Sequence, residues 1–271
     1  MAESRSIERL RHHFEVEREL AERLRRSTRS ERTGLLGRLY TELFERVPDH
    51  PRLTRRETEA SSKAAVAARL RLLEPFIRSD QVFLEIAPGD CRLCFAVAPR
   101  VREAIGADIS DQSGPADRRP TNFRLAVFDG YDLPVPEASV DLAFSYQFLE
   151  HLHPEDVPHH LETVRRILRP GGRYVLSTPH RFSGPHDVSR FFSDVPLGLH
   201  LKEWTFGELA RAARAAGFSD LIPYRAGRPR PGLLMRALTA CAEGFLGRLP
   251  RRLQRRASAR WFESVTAVLV A

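Results

Sequence analysis

Val82-Phe83-Leu84-Glu85-Ile86-Ala87-Pro88-Gly89-Asp90-Cys91 is the stretch that decides the fold of this chain. A short apolar run carries an acid, Glu85, and breaks at a tight Pro-Gly turn. An amphipathic segment follows from Leu93 to Val101, and a second apolar run closes on Gly106-Ala107-Asp108-Ile109. Strand, glycine turn, helix, strand and terminal acid make the first half of a nucleotide-binding α/β unit. In such a unit the turn at Ala87, Pro88 and Gly89 brings backbone amides close to a ligand. Asp108 then accepts from ribose hydroxyls, or else caps the next turn.

Working outward, candidate strands are Val82–Ile86, Ala104–Asp108, Phe123–Phe128, Val140–Phe144 and Arg173–Thr178, with later ones at Ser219–Tyr224 and Ser264–Val270. Helical patterns separate several of them, as a parallel sheet requires. Val157 to Leu168 reads as a helix closed by Arg169-Pro170-Gly171-Gly172, and Phe206 to Ala216 as another ended by Gly217. Ahead of the sheet, Ser4 to Ile77 reads as helical, with Leu20, Leu24, Leu35, Leu36, Leu39, Leu43 and Phe44 at helical intervals. Pro48 and Pro51 break this segment, and a further helix is expected from Glu57 to Ile77. The expected fold is α/β, a Rossmann-like seven-stranded, mostly parallel sheet flanked by helices. Residues 1–80 form an N-terminal helical cap and 81–271 the main domain, with a helical insertion over about 230–262 before the last strand.

A chain of 271 residues with 42% hydrophobic content can bury a sizeable core. No apolar run is long enough to span a membrane, and Met1-Ala2-Glu3-Ser4-Arg5 lacks the apolar core of a signal peptide. Cys91, Cys94 and Cys241 are too few for a disulfide framework, so a cytoplasmic location is expected. The net charge is +8, carried almost wholly by arginine, since Lys63 and Lys202 are the only lysines. Arg225, Arg228, Arg230, Arg236, Arg248, Arg251, Arg252, Arg255, Arg256 and Arg260 share a stretch whose only acid is Glu243. So localised a basic segment favours an anionic surface or substrate over general nucleic-acid binding. Leu233, Leu234, Leu238, Cys241, Phe245 and Leu249 add an apolar stripe between Gly232 and Trp261. One reading is a substrate lid or a membrane-surface helix. The other is an insertion packed on the core with a solvated arginine face.

The chain resembles the class I S-adenosylmethionine (SAM) methyltransferases. Their first motif, E-x-G-x-G-x-G, reads here Glu85-Ile86-Ala87-Pro88-Gly89-Asp90-Cys91, keeping only the middle glycine. Ala87 is a mild replacement if its φ is negative, and Cys91 is small enough to start a helix beneath a ligand. Downstream, Asp129-Gly130, Leu133 to Leu142, Phe148-Leu149-Glu150-His151-Leu152, Leu168-Arg169-Pro170-Gly171-Gly172-Arg173 and Ala215-Ala216-Gly217-Phe218 follow the family pattern in order. The resemblance covers roughly Val82 to Phe218. It implies a bacterial biosynthetic enzyme that carries a methyl group from SAM by SN2 attack, leaving S-adenosylhomocysteine. It also implies cofactor contacts at Glu85, Ala87, Pro88 and Gly89, at Asp108 and Ile109, at Asp129 and Gly130, and at Ser145 and Tyr146. The expected acceptor is a small molecule or a lipid- or glycan-linked group methylated at oxygen, with peripheral contact to an anionic membrane. A non-catalytic SAM-binding protein and a nucleic-acid methyltransferase are the rival readings. The latter lacks an aromatic motif after strand four, where Ser145-Tyr146-Gln147-Phe148 stands.

Three features carry further chemistry. His180 and His186, in the loop after strand five, are general-base candidates or packed loop histidines; His151 is the third candidate. Some family members bind a divalent ion through Glu-x-x-Glu-His. Here Gln147 replaces the first glutamate, so Glu150-His151, with His153, His159 and His160, reads as a turn and no metal is expected. Cys91-Arg92-Leu93-Cys94 is either a redox pair at a helix start or two small packing residues.

Overall fold

The computed structural model describes residues 5–54, 58–259 and 261–271. Ser4 and Glu57, at the ends of expected helical segments, and Arg260 of the arginine-rich stretch lie outside the described residues. The N-terminal region runs through α1 (Ile7–Arg26), α2 (Arg29–Arg32), α3 (Leu35–Arg46), α4 (Pro51–Thr54) and α5 (Glu59–Leu73). Ser6 starts α1 by accepting from the Arg9 amide, and Thr58 starts α5 by accepting from the Ser61 amide. α3 stops at Arg46, two residues ahead of Pro48, and Pro51 opens α4, where its missing N–H costs nothing.

The sheet domain follows as β1 (Val82–Ile86), α6 (Arg92–Val97), β2 (Glu103–Asp108), β3 (Phe123–Val127), β4 (Val140–Tyr146), α7 (Val157–Ile167), β5 (Leu168–Pro179), α8 (Phe206–Ala215), β6 (Asp220–Arg225), β7 (Arg228–Pro229), α9 (Leu233–Leu246), α10 (Arg251–Ser258) and β8 (Ser264–Val270). The strand order is β3-β2-β1-β4-β5-β8-β6-β7. β1 to β5 pair in parallel, and β8 inserts antiparallel between β5 and β6. The sheet thus has eight strands, not the expected seven. The extra one is a two-residue strand, β7, formed because Ala226 and Gly227 turn back with φ of 52° and 71°. Positive φ at both central residues suits a tight hairpin, but alanine does not announce it in a sequence. β5 also begins earlier than expected. Val140 pairs with Leu168 and Leu142 with Arg173, so Arg169–Gly172 bulge from the strand instead of ending a helix with a free turn.

Alternate strand residues feed opposite faces. Leu84, Ile86, Ile105, Ala143 and Leu176 pack with α7 and α8 through Leu161, Val164, Ile167, Leu209 and Ala213. Phe83, Phe144, Val175 and Val268 pack with α5 and α6 through Leu73, Leu93 and Val97. Each fully buried leucine or phenylalanine contributes about 1.5–3 kcal/mol. The cap has its own cluster, Leu20, Leu24, Leu39 and Leu43, which also takes in Leu199 and Leu201 from the segment after β5. Arg32, 5% exposed, ties the cap down by pairing with Asp156 at 2.7 Å and Glu155 at 3.1 Å.

Candidate functional site

The chain leaves β1 at Ile86 and reaches α6 through a left-handed path. φ is 54° at Ala87, 58° at Gly89 and 59° at Cys91. The condition under which Ala87 would be a mild replacement, a negative φ, is therefore not met. The turn demands glycine-like geometry at all three places, and two non-glycine residues adopt it at a cost of about 1–2 kcal/mol each. Ala87 N–H donates to Ala107 O at 2.8 Å, which pins the turn to β2. At Gly89 an added Cβ would meet nothing within 4 Å, so the space above it is open.

Asp108, 8% exposed, closes this loop. Its Oδ2 accepts from Gly89 N–H at 3.0 Å and its Oδ1 from Ser110 N–H at 3.3 Å. Each oxygen keeps a further lone pair for a diol. Beside it Ile109 is 43% exposed and Val127 55%, and a Cβ on Gly130 would sit 3.6 Å from Ile109 Cγ2. A buried acid, an open glycine and uncovered aliphatic side chains together fit a nucleoside. Asp129 uses Oδ1 on the amides of Tyr131 and Asp132, at 2.9 and 3.2 Å, and so shapes the turn that presents Gly130. Glu85 braces the loop from beneath, its Oε2 accepting from the Cys94 amide and thiol, each at 3.1 Å. Burial pushes its carboxyl up to about 7. Burial likewise raises both thiols, Cys91 to about 12, and both are free and buried. They pack. The Ser145 and Tyr174 hydroxyls share a hydrogen bond at 2.6 Å, while Tyr146 is 38% exposed beneath the Arg69 guanidinium.

A cavity of about 450 Å³ opens beyond β4 and β5, roofed by the cap. Gln147, Glu150, His151 and His186 line it from the sheet domain, His200 from the following segment, and His13, Glu17, Tyr40 and His50 from the cap. Sequence reasoning missed His200 and all the cap residues. The one signal was His13 and Glu17 at helical spacing on α1.

Hydrogen bonds sort these histidines by tautomer. His151 Nδ1 donates to Leu199 O at 3.0 Å, leaving a lone pair on Nε2. Burial, then the charges of His200 and Arg52, hold its pKa well below the usual value, so the ring is neutral. His200 Nδ1 faces Glu203 Oε1 at 3.3 Å. Burial alone would lower His200, but Glu203 and the carboxylates of Glu150 and Asp187 outweigh it and raise its pKa. Glu150 is fully buried; Oε2 accepts from Thr178 Oγ1 at 3.0 Å, and Oε1 has no hydrogen-bond partner. Burial raises its carboxyl to about 6. One ligand atom from each of Glu150, His151 and His200 lies within 4.8 Å of the others. Neither Nε2 is bonded to protein, so this set could hold a divalent cation that displaces the proton the raised pKa keeps on His200. His13, Glu17 and His50 are equally close. There, however, His13 Nδ1 accepts from Arg5 and His50 Nδ1 from the Arg52 amide, so both Nε2 atoms carry protons and ligate poorly.

The other histidines lie elsewhere. His180 is fully buried; Nε2 donates to Glu243 at 2.8 Å and Nδ1 accepts from the Phe182 amide at 3.1 Å. Both of its nitrogens are engaged, and it does not line the cavity. His186 does line the cavity, between Ser183 Oγ at 3.2 Å and Glu203 Oε1 at 3.2 Å. His153 bonds Arg25 O, His159 pairs with Asp132, and His160 bonds Tyr174 Oη, all away from Glu150.

Comparison with known proteins agrees with this geometry. Residues 84–176 match the family model described as a methyltransferase domain. A probable SAM-dependent methyltransferase of Mycolicibacterium smegmatis is 34% identical over 141 residues, covering 50% of this chain and 51% of the relative. One from Mycobacterium tuberculosis is 31% identical over 144 residues, covering 51% and 48%. The chain thus spans about half the length of the curated relatives it matches. Among solved structures, a complex of the Haloferax volcanii Trm112 methyltransferase activator with a methyltransferase gives a TM-score of 0.53 at 19% identity, covering 78% of this chain and 91% of that one. A Haemonchus contortus phosphoethanolamine N-methyltransferase gives 0.51 at 14% identity, covering 76% and 52%. These two share the fold. The domain match over residues 84–176 and these relatives support a class I SAM-dependent methyltransferase family.

Proposed function

We propose that this protein transfers a methyl group from SAM to an acceptor seated in the cavity beneath the cap. One observation carries the reading. The end of β4 and the segment after it join the two halves of the site: Ser145 pairs in register with Ile86, which puts Tyr146 beside the Ala87 turn, and Gln147, Glu150 and His151 line the cavity wall. Bound SAM would supply an electrophilic methyl on a sulfonium. Asp108 and the amides of the Ala87–Gly89 turn would hold its ribose and carboxylate, and Ile109 and Gly130 its adenine. The acceptor is a small molecule or a lipid- or glycan-linked hydroxyl. His151, neutral and with Nε2 free, takes the hydroxyl proton, and His200 and Glu150 hold it in place.

The test is tritiated methyl transfer from SAM into fractionated bacterial extract. Labelled product is expected, and none across all fractions would contradict the reading. With the acceptor in hand, His151→Gln should lower kcat about 10²–10⁴-fold and leave SAM affinity unchanged. Unchanged kcat would remove His151 as the base. A second reading is favoured by the unpartnered Glu150 Oε1: a divalent cation on Glu150, His151 and His200 activates the acceptor oxygen. It expects activity to fall with a chelator and return with added metal.

A further inference from the structure

Helix α9 is inside out. It buries Thr239, Glu243 and Leu246 and leaves Leu233, Leu234, Leu238 and Phe245 exposed at 78%, 74%, 54% and 65%. Leu234, Leu238, Cys241 and Phe245 fall on one stripe, on the side away from the buried residues. The polar face is turned inward for specific reasons. Glu243 accepts from the Phe206 and Gly207 amides at the start of α8, at 2.6 and 2.9 Å, and from His180 Nε2 at 2.8 Å. Thr239 Oγ1 accepts from Arg225 at 3.3 Å. α10 repeats the pattern, burying Gln254 and Ser258 while Leu253 stays 53% exposed. Its Gln254 Nε2 donates to Leu246 O at 3.1 Å, which joins the two helices end to end.

We infer that the α9–α10 face seats this protein on the surface of an anionic lipid bilayer. Charge selects that occupant. Arg248, Arg252 and Arg256 are exposed beside the apolar stripe, and the single acid of the segment, Glu243, is buried and committed. Trp261, 74% exposed, adds the amphipathic ring that lipid headgroup regions accept. The surface also continues toward the cavity. Arg251 donates to Asp194 O at 2.9 Å, and the loop it holds carries exposed Phe191 and Val195. Phe191 and Arg190 line the cavity itself. No helix among the described residues is long and apolar enough to cross a membrane, so the contact is peripheral. The inference stands on this surface and not on methyl transfer.

The experiment is co-sedimentation of the full chain with phosphatidylcholine vesicles, with and without phosphatidylglycerol, at low and high salt. The protein should pellet with the anionic vesicles at low salt and remain in solution with the neutral ones. Arg252→Gln and Arg256→Gln should each weaken partitioning roughly five-fold. Leu234→Ser with Leu238→Ser should abolish it; these residues are exposed, so thermal melts should match the parent protein. Protein left in the supernatant with anionic vesicles at low salt would overturn the inference, as would equal pelleting with neutral vesicles. So would light scattering that shows a dimer dissolved by the leucine substitutions, which would assign the face to a second copy. None of these readouts depends on SAM, so failure here leaves the methyltransferase reading standing.

Discussion

Glu85 is 3% exposed beneath the β1–α6 loop, and its environment links stability to pH. Its folded pKa of about 7 lies above the ordinary 4.5. The folded chain therefore holds a proton that the unfolded chain has released, and stability falls as pH rises between those two values. Glu150, raised to about 6, acts in the same direction over a narrower window. Glu203 acts elsewhere. Burial would raise it, but His186 and His200 pull it down to about 2, so its contribution is present above pH 4.5 and lost as pH falls toward 2. Glu85→Gln should remove part of the fall. Urea unfolding at pH 5 and pH 8 should show a smaller drop in the variant than in the parent protein, by up to about 3 kcal/mol. An equal drop in both would mean that Glu85 ionises normally. The acid itself was legible as a strand residue preceding a glycine turn. Its partner, the Cys94 amide and thiol, depends on α6 folding back over β1.

The β1–α6 turn shows what an element can impose on its residues. Ala87, exposed and at φ 54°, occupies a conformation that glycine reaches without strain. Ala87→Gly should stabilise the protein by about 0.5–1 kcal/mol, after the extra freedom of the unfolded glycine is subtracted. Chemical denaturation measures this directly, and a loss of stability would show that the turn relaxes to negative φ. The strands were legible because apolar runs bounded by turn residues leave little choice of register or face. The direction of α9 was not. Periodicity gives a stripe of leucines, but it cannot say that Glu243 will cap α8 and draw the opposite face inward. β7 was missed for a related reason, since its turn uses Ala226 where Asn or Gly would have marked it.

At the scale of the molecule, the loop proposed for the cofactor is built from one continuous stretch and the cavity is not. Glu85 to Gly130 lie within one α/β unit, so the motif order alone singles them out as candidates. Tyr40 and His151 meet across 111 residues, and His200 joins them from the segment after β5. Such a meeting depends on how the cap docks through Leu199, Leu201 and the Arg32–Asp156 pair, which no local pattern encodes. Binding of SAM or S-adenosylhomocysteine at the Asp108 end of β2 is what the rest of the function requires. Titration calorimetry with S-adenosylhomocysteine, on the parent protein and on Asp108→Ala, measures it. The expected result is binding by the parent protein and a loss of about 1–3 kcal/mol in the variant, from the missing ribose hydrogen bonds. No binding by the parent protein, or equal affinity in both, would contradict the assignment of this loop as the cofactor site.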